Sequence, residues 1–123
     1  MANKDKVNID LDDEVNDFVE QLLKLKLVEQ KADAFRLGVA LSLSMDPDRK
    51  IEKGNGRHNI ADASSLDKGS EISFLIEELS TKDYSGQIYR RMEELGNWGL
   101  KKIKEDFWDG ESIQWDKVEK EVK

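Results

Sequence analysis

The sequence predicts a mainly α protein in which one short strand precedes two helices, and further helices follow a loop-rich connection. Apolar side chains recur at steps of three and four residues in several segments, which is the spacing of a single helix face. They alternate with polar side chains over residues 6–11, which indicates a half-buried strand. The chain of 123 residues therefore divides into a strand–helix–helix unit at 1–45, a loop-rich connection at 46–69 and a helical extension at 70–123.

The strand and the first helix are predicted from the spacing of their apolar and polar residues. In the strand, apolar residues alternate with polar ones: Val7, Ile9 and Leu11 with Lys6, Asn8 and Asp10. The acidic run Asp12–Glu14 suits a helix start, because carboxylates are favourable near a helix N-terminus. Apolar residues at helical spacing continue from Val15 to Leu23 and predict a helix at about 13–26.

The second helix, predicted at about 31–45, is apolar on nearly every side. Its apolar residues include Phe35, Leu37, Val39 and Leu41. A helix of this composition must be buried on more than one side, which residues 1–45 cannot achieve alone. We therefore expect a partner chain, and hence a homodimer or a higher homo-oligomer.

The connection contains the only proline, Pro47, and the turn-rich sequence Gly54–Gly56. Residues 58–69 have no clear period, and an ordered loop or extended segment is expected there.

Helical spacing returns in three segments of the extension, at about 70–80, 84–107 and 114–122. Gly96 and Gly99 lie inside the second of these helices, where they either permit close helix approach or mark a kink. The aromatic residues of the extension are expected in the core or, alternatively, in a patch that binds a protein partner.

Residues 6–45 resemble the ribbon-helix-helix family, whose members are dimeric bacterial and phage DNA-binding proteins. The resemblance lies in the alternating strand, in the apolar stripe of the first helix and in residues 31–39, which are similar to the family's Ser-Arg-Ser-Glu-Ala-Ile-Arg type of helix start. Three positions differ from the family pattern. Asp10 is acidic on the strand, Gln30 replaces the usual Ser or Thr cap, and Lys26 stands where the family often has a turn glycine.

The resemblance implies a transcriptional regulator or an antitoxin-like repressor that binds double-stranded DNA as a dimer. Its paired strands would enter the major groove and present Lys6, Asn8 and Asp10 to the bases.

The start of the second helix would bind a phosphate through Gln30, Lys31 and Ala32. Lys4 would add local positive charge. The dimer interface would contain the apolar residues of the strand and the second helix: Val7, Ile9, Leu11, Phe35, Leu37, Val39 and Leu41.

A second resemblance gives an alternative function. The small subunit of the bacterial DNA phosphorothioation machinery has a similar length and an apolar helix followed by a Pro-containing loop, as in residues 34–47. This resemblance implies a non-catalytic, oligomeric assembly subunit of a larger protein complex, one that acts on DNA in modification or restriction. The net charge of −7 favours this alternative, because lysine and arginine drive DNA binding. Most of the acidic excess, however, lies in residues 58–123.

Catalytic, metal-binding and cofactor-binding functions are not expected. The chain has no cysteine and one histidine, His58, so it offers neither a thiolate nucleophile nor a histidine-based metal cluster. The acidic residues lack calcium-loop spacing, and no nucleotide-binding fingerprint follows a strand. The charged N-terminus and the short apolar runs predict neither a signal peptide nor a membrane span, and we expect a cytoplasmic protein.

Overall fold

The computed structural model describes residues 5–122, and Lys4 lies outside them. In chain order the elements are β1 (Asn8–Leu11), α1 (Asp13–Lys24), α2 (Lys31–Met45), β2 (His58–Asp62), α3 (Ala63–Leu66), α4 (Glu71–Leu79), α5 (Ile88–Lys102) and α6 (Trp115–Val122). A 3₁₀ turn (Lys68–Ser70) precedes α4, and a π-helical segment (Ile103–Phe107) continues α5. The mainly α prediction is confirmed, whereas a ribbon-helix-helix unit is not confirmed.

The sheet of the described residues has two strands, and both come from the same chain. β1 pairs antiparallel with β2, and the register joins Asn8 to Asp62 at one end and Leu11 to His58 at the other. Of the ordered loop or extended segment expected at 58–69, the extended alternative is observed in β2, whereas the short helix α3 was not predicted. A bulge explains the missing period, because Ile60 is an extra residue between two successive strand pairs and interrupts the alternation of β2.

The strand β1 is half-buried, as its alternation predicts. Ile9 and Leu11 are fully buried in the core. Val7 precedes the strand and is 74% exposed, so the prediction that it shares their buried face is wrong.

The second helix, α2, lies against α5 in the most extensive contact between elements of the described chain. A Cβ atom at Gly99 would overlap the backbone of Gly38, and one at Gly38 would overlap the carbonyl oxygen of Gly96. Of the two interpretations of Gly96 and Gly99, close helix approach is therefore the one observed. The hydroxyl of Ser42 also donates a hydrogen bond of 2.6 Å to the carbonyl of Leu95 on α5. The N-terminal unit and the helical extension thus share one core.

The connection between α2 and β2 is held to α5 by a buried arginine. The guanidinium of Arg91 donates hydrogen bonds to the carbonyls of Pro47 and Arg49, at 2.8 and 2.7 Å. It also pairs with Glu94 at 3.1 Å and lies over the ring of Tyr84. Because a buried cation needs partners of this kind, Arg91 fixes the path of the loop.

The two longest helices, α2 and α5, each have 15 residues. Within residues 5–122, no helix combines the length and the apolar composition that crossing a bilayer requires.

Candidate functional site

The strand residues that the family resemblance assigns to DNA contact have different environments. Asn8 is exposed at the start of β1. The ammonium of Lys6 lies 2.8 Å from Glu93 and 3.4 Å from Asp10, and these three side chains are between 11% and 17% exposed. Lys6 and Asp10 therefore contact each other and α5. Of the three residues predicted to contact bases, Asn8 alone has a solvent-exposed side chain.

Both edges of β1 have hydrogen-bonding partners within the chain. One edge pairs with β2. At the other edge, the amide of Asp10 donates to Glu93 at 2.8 Å and the amide of Asp12 donates to Asn97 at 2.9 Å. Asn97 in turn donates to the carbonyl of Asp10 at 3.0 Å. Side chains of α5 thus occupy the edge that would otherwise be open to a second copy of β1.

The residues predicted at a dimer interface lie mostly in the core of the single chain. Buried members of this set are Ile9, Leu11, Phe35, Val39 and Leu41. Leu37 is half-buried and Val7 is exposed. Packing within the chain therefore covers most of the surface that a partner chain was expected to cover.

The predicted phosphate-binding residues line a groove beside β2. We call this concavity of about 460 Å³ the basic groove; its lining residues are Gln30, Lys31, Ala32, Arg36, Asn59, Ile60, Ala61, Ser65, Leu66 and Lys68. It brings together the start of α2, the strand β2 and the segment that leads into α4. Three of the lining residues are cationic and none is acidic, which is unusual for a chain of net charge −7. The sequence interpretation found the start of α2 but missed Arg36 and Lys68, because the contribution of β2 was not predicted.

A second concavity, of about 450 Å³, is lined by Asp12, which precedes α1, by the loop at 50–54, by the second half of α5 and by the π-helical segment. Its walls carry both signs of charge, among them Asp12, Glu105 and Lys101, so it shows no preference for an anion or a cation. Burial, reinforced by the charge of Glu93, raises the pKa of Asp12. This surface has no arrangement of groups that points to a particular ligand.

The helix α4 exposes three large apolar side chains. Phe74 is 59% exposed, Leu75 is 46% exposed and Leu79 is 49% exposed. We call these three residues the α4 apolar face. Leu75 and Leu79 are one helical turn apart, and Phe74 lies on the adjacent side of the same helix. Ile76 is the buried residue that attaches α4 to the core.

Acidic side chains surround the α4 apolar face. Glu71, Glu77 and Glu78 are exposed on the same helix, and α4 has no basic residue in its last turn. The sequence predicts the positions of Leu75 and Leu79 as part of an apolar stripe. It gives no sign that this stripe is uncovered, because exposure depends on how α4 packs against α5.

Two carboxylates fasten α4 at its ends. Asp67, which is 3% exposed, accepts hydrogen bonds from the amides of Ile72 and Ser73 at 2.8 and 3.1 Å. Beyond the helix, Asp48 accepts hydrogen bonds from the amide and the hydroxyl of Thr81, at 3.0 and 2.8 Å. These hydrogen bonds from Thr81 hold the pKa of Asp48 below its usual value. The helix is thus set in place by polar contacts at both ends together with the buried side chain of Ile76.

No metal site is found in the part of the chain that the structure describes, since histidine, aspartate and glutamate side chains do not gather there in groups of three able to hold an ion. Comparison with protein-family models, with curated proteins and with solved structures finds no match to this chain.

Proposed function

We propose that this protein is a non-catalytic assembly subunit that binds another protein through α4. The observation that carries the proposal is the α4 apolar face. Three large apolar side chains in one nine-residue helix are about half exposed. Single exposed apolar residues are ordinary, whereas a cluster with a polar rim is typical of a protein interface.

The composition of α4 suggests the kind of surface that receives it. An amphipathic helix binds by placing its apolar face into a hydrophobic groove of the partner. Fully burying a leucine or phenylalanine side chain contributes about 1.5–3 kcal/mol, so the α4 apolar face can supply the anchor residues of such a contact. Glu71, Glu77 and Glu78 would then face the rim, and we infer a partner groove bordered by lysine or arginine.

Co-purification from cells at native expression level tests the proposal. The affinity-tagged wild-type chain is expected to elute with one partner protein in constant stoichiometry. The double variant Phe74→Ser, Leu79→Ser is expected to retain less than about one tenth of the partner that the wild type retains in the same wash, because the anchor residues are removed. Both residues are about half exposed, so the variant is expected to melt close to the wild-type temperature.

The matched control is Val7→Ser, which removes an apolar side chain that is 74% exposed but lies outside α4. This control is expected to retain the partner in full. Equal loss in both variants would show unspecific adhesion, and full retention in the α4 variant would refute the proposal.

A DNA-binding regulator is the second candidate function. It is favoured by two adjacent features, the exposed side chain of Asn8 at the start of the strand and the basic groove at the start of α2. An exposed asparagine can form a bidentate pair with adenine, and the amides of a helix N-terminus can bind a phosphate.

A gel-shift titration with Asn8→Ala and Lys31→Ala separates this candidate from the first. Lys6→Ala is a poor probe, because it removes the cation that pairs with the mostly buried carboxylates of Glu93 and Asp10 and so disturbs the fold. Weaker binding of DNA by both variants would support the regulator. Absence of DNA binding by the wild type at low salt would exclude it.

A further inference from the structure

The strand β2 has one edge that no other strand covers. β1 pairs with one edge of β2, and the described residues contain no strand on the other. Backbone directions identify the groups on this outer edge. The amide and carbonyl of Asp10 both point to α5, so its neighbours Ile9 and Leu11 point to β2.

The residues of β2 that face β1 are therefore Ala61 and His58, which lie opposite Ile9 and Leu11. Asn59 lies opposite Asp10, and Asp62 lies opposite Asn8. In an antiparallel pair, backbone groups at such intervening positions point away from the partner strand. The backbone of Asn59 and the amide of Asp62 thus point outward, where an added strand could bind them.

The open edge of β2 borders the basic groove. Asn59, Ile60 and Ala61 line it on one side, and the first turns of α2 line it on the other. Ile60 and Ala61 are half-buried and pack against the core, which gives the groove an apolar floor. A strand edge, an apolar floor and a facing helix form the arrangement in which extended peptides add to a sheet.

The charges of the groove select for acidic segments. Lys31 pairs with Glu20 at 3.1 Å, and Arg36 is 3.5 Å from Asp33. Both carboxylates are about half exposed and lie outside the lining of the groove. Ion pairs this exposed contribute little. Lys31 also donates to Asn16 at 2.9 Å, and Arg36 donates to the carbonyl of Leu66 at 3.4 Å. Both cations are therefore held beside the groove, where their charge attracts an acidic segment. Lys68 has no ion pair within residues 5–122 and adds a third positive charge.

We propose that the outer edge of β2 binds an extended acidic peptide segment of another protein as a third strand in the basic groove. This surface is separate from α4, and the proposal does not depend on the function assigned to that helix. The five residues of β2 span roughly 17 Å and can pair with a segment of about five residues. Duplex DNA is the less suitable occupant, because it cannot pair with a strand edge through backbone amides and carbonyls.

Selection from a displayed library of random nine-residue peptides tests the proposal with the full chain as bait. The selected peptides are expected to carry Asp or Glu in alternation with β-branched residues, which matches a strand with one face on the floor and one at the cationic rim. Against the best selected peptide, Lys68→Glu is expected to bind roughly tenfold more weakly, because the substitution places like charges together. Lys82→Glu is the matched control, since Lys82 is also exposed but lies outside the groove, and it is expected to bind like the wild type.

Backbone methylation of the selected peptide separates strand addition from simple charge attraction. Two versions are made, each N-methylated at one of the two alternating sets of amides. Strand addition predicts that one version loses at least tenfold in affinity while the other retains it, because one set of amides faces β2.

Equal affinity of both methylated versions would overturn the proposal, as would selected peptides without acidic residues or an empty selection. Binding of a 20-base-pair DNA duplex that is lost in Lys68→Glu, together with an empty selection, would instead assign the basic groove to nucleic acid. The α4 variant Phe74→Ser, Leu79→Ser is expected to bind the peptide normally, so failure here and failure of the proposed function are distinguishable.

Discussion

At the scale of single residues, Lys26 occupies a backbone conformation that its side chain makes unfavourable. The amide of Lys26 donates to Leu23, and the amide of Leu27 donates to Leu22, which are the two hydrogen bonds of a Schellman motif after α1. The motif requires the left-handed conformation, and Lys26 has φ 59°. These bonds end α1 at Lys24, two residues earlier than the sequence predicts.

Substituting Lys26→Gly is expected to raise the free energy of unfolding by about 0.5–1 kcal/mol. Glycine enters the left-handed region without the steric cost that a Cβ brings, although it also adds some conformational freedom to the unfolded chain. Lys24→Gly is the matched control, because the same change in the last turn of a helix is expected to cost up to about 1 kcal/mol. Urea denaturation measures the free energy of unfolding of both variants. Destabilisation by Lys26→Gly as well as by Lys24→Gly would contradict the steric cost assigned to Lys26.

The sequence identified the position of Lys26 but not its conformation. The ribbon-helix-helix pattern places a glycine there, and the structure shows the turn that a glycine would suit. Lys6 and Asp10 illustrate the opposite case. Their alternation correctly predicts a face of β1 turned away from the core. However, the ion pair of Lys6 with Glu93 and the hydrogen bond from the Asp10 amide to Glu93 depend on a residue 83 positions beyond Asp10, which no local pattern reveals.

At the scale of elements, the first turn of α4 is capped by the buried carboxylate of Asp67. It accepts the amides of Ile72 and Ser73 and the hydroxyl of Ser73. Asp67→Ala leaves two amides of the first helical turn without partners and is expected to cost about 1–2 kcal/mol. Hydrogen exchange is expected to accelerate in α4 more than in α2 or α5, because α4 buries little apolar surface.

Asp83→Ala provides the control for this prediction. Asp83 also accepts a backbone amide, that of Ser85, but in an exposed turn beyond α4. The variant Asp83→Ala is expected to leave amide hydrogen exchange in α4 unchanged. If Asp67→Ala changes exchange uniformly over the molecule, α4 opens only when the whole chain unfolds, and the local account of its order is wrong.

Elements with a regular period were predictable, and those with irregular backbone were not. The prediction of α2 at 31–45 is confirmed, because apolar residues recur in every turn of the helix between Ala32 and Met45. β2 escaped prediction because the bulge at Ile60 breaks its alternation. α3 has four residues, which is too short for a helical period to be visible. The basic groove, built from α2, β2 and α3, therefore could not be assembled from the sequence.

At the scale of the whole molecule, α5 fills the place that the sequence assigns to a second chain. The apolar character of α2 correctly predicts that it is buried on several sides, but the pattern does not say which element covers it. Close contact between Gly38 and Gly99 lets α5 approach α2 within the chain. Strand pairing between β1 and β2 closes the same core from another side. The homo-oligomer remains a prediction that packing of α2 no longer requires.

The dependence of thermal unfolding on protein concentration distinguishes a monomer from a homo-oligomer. Because α5 covers α2 within one chain, the melting temperature is expected to stay constant over roughly a hundredfold range of protein concentration. Leu41 is 7% exposed, so Leu41→Glu buries an unpaired carboxylate and is expected to cost more than about 4 kcal/mol. Ala40→Glu adds the same charge at an exposed position of α2 and is expected to change stability by less than about 0.5 kcal/mol. A wild-type melting temperature that rises with concentration would establish the oligomer, and its interface would then have to lie outside the contact of α2 with α5.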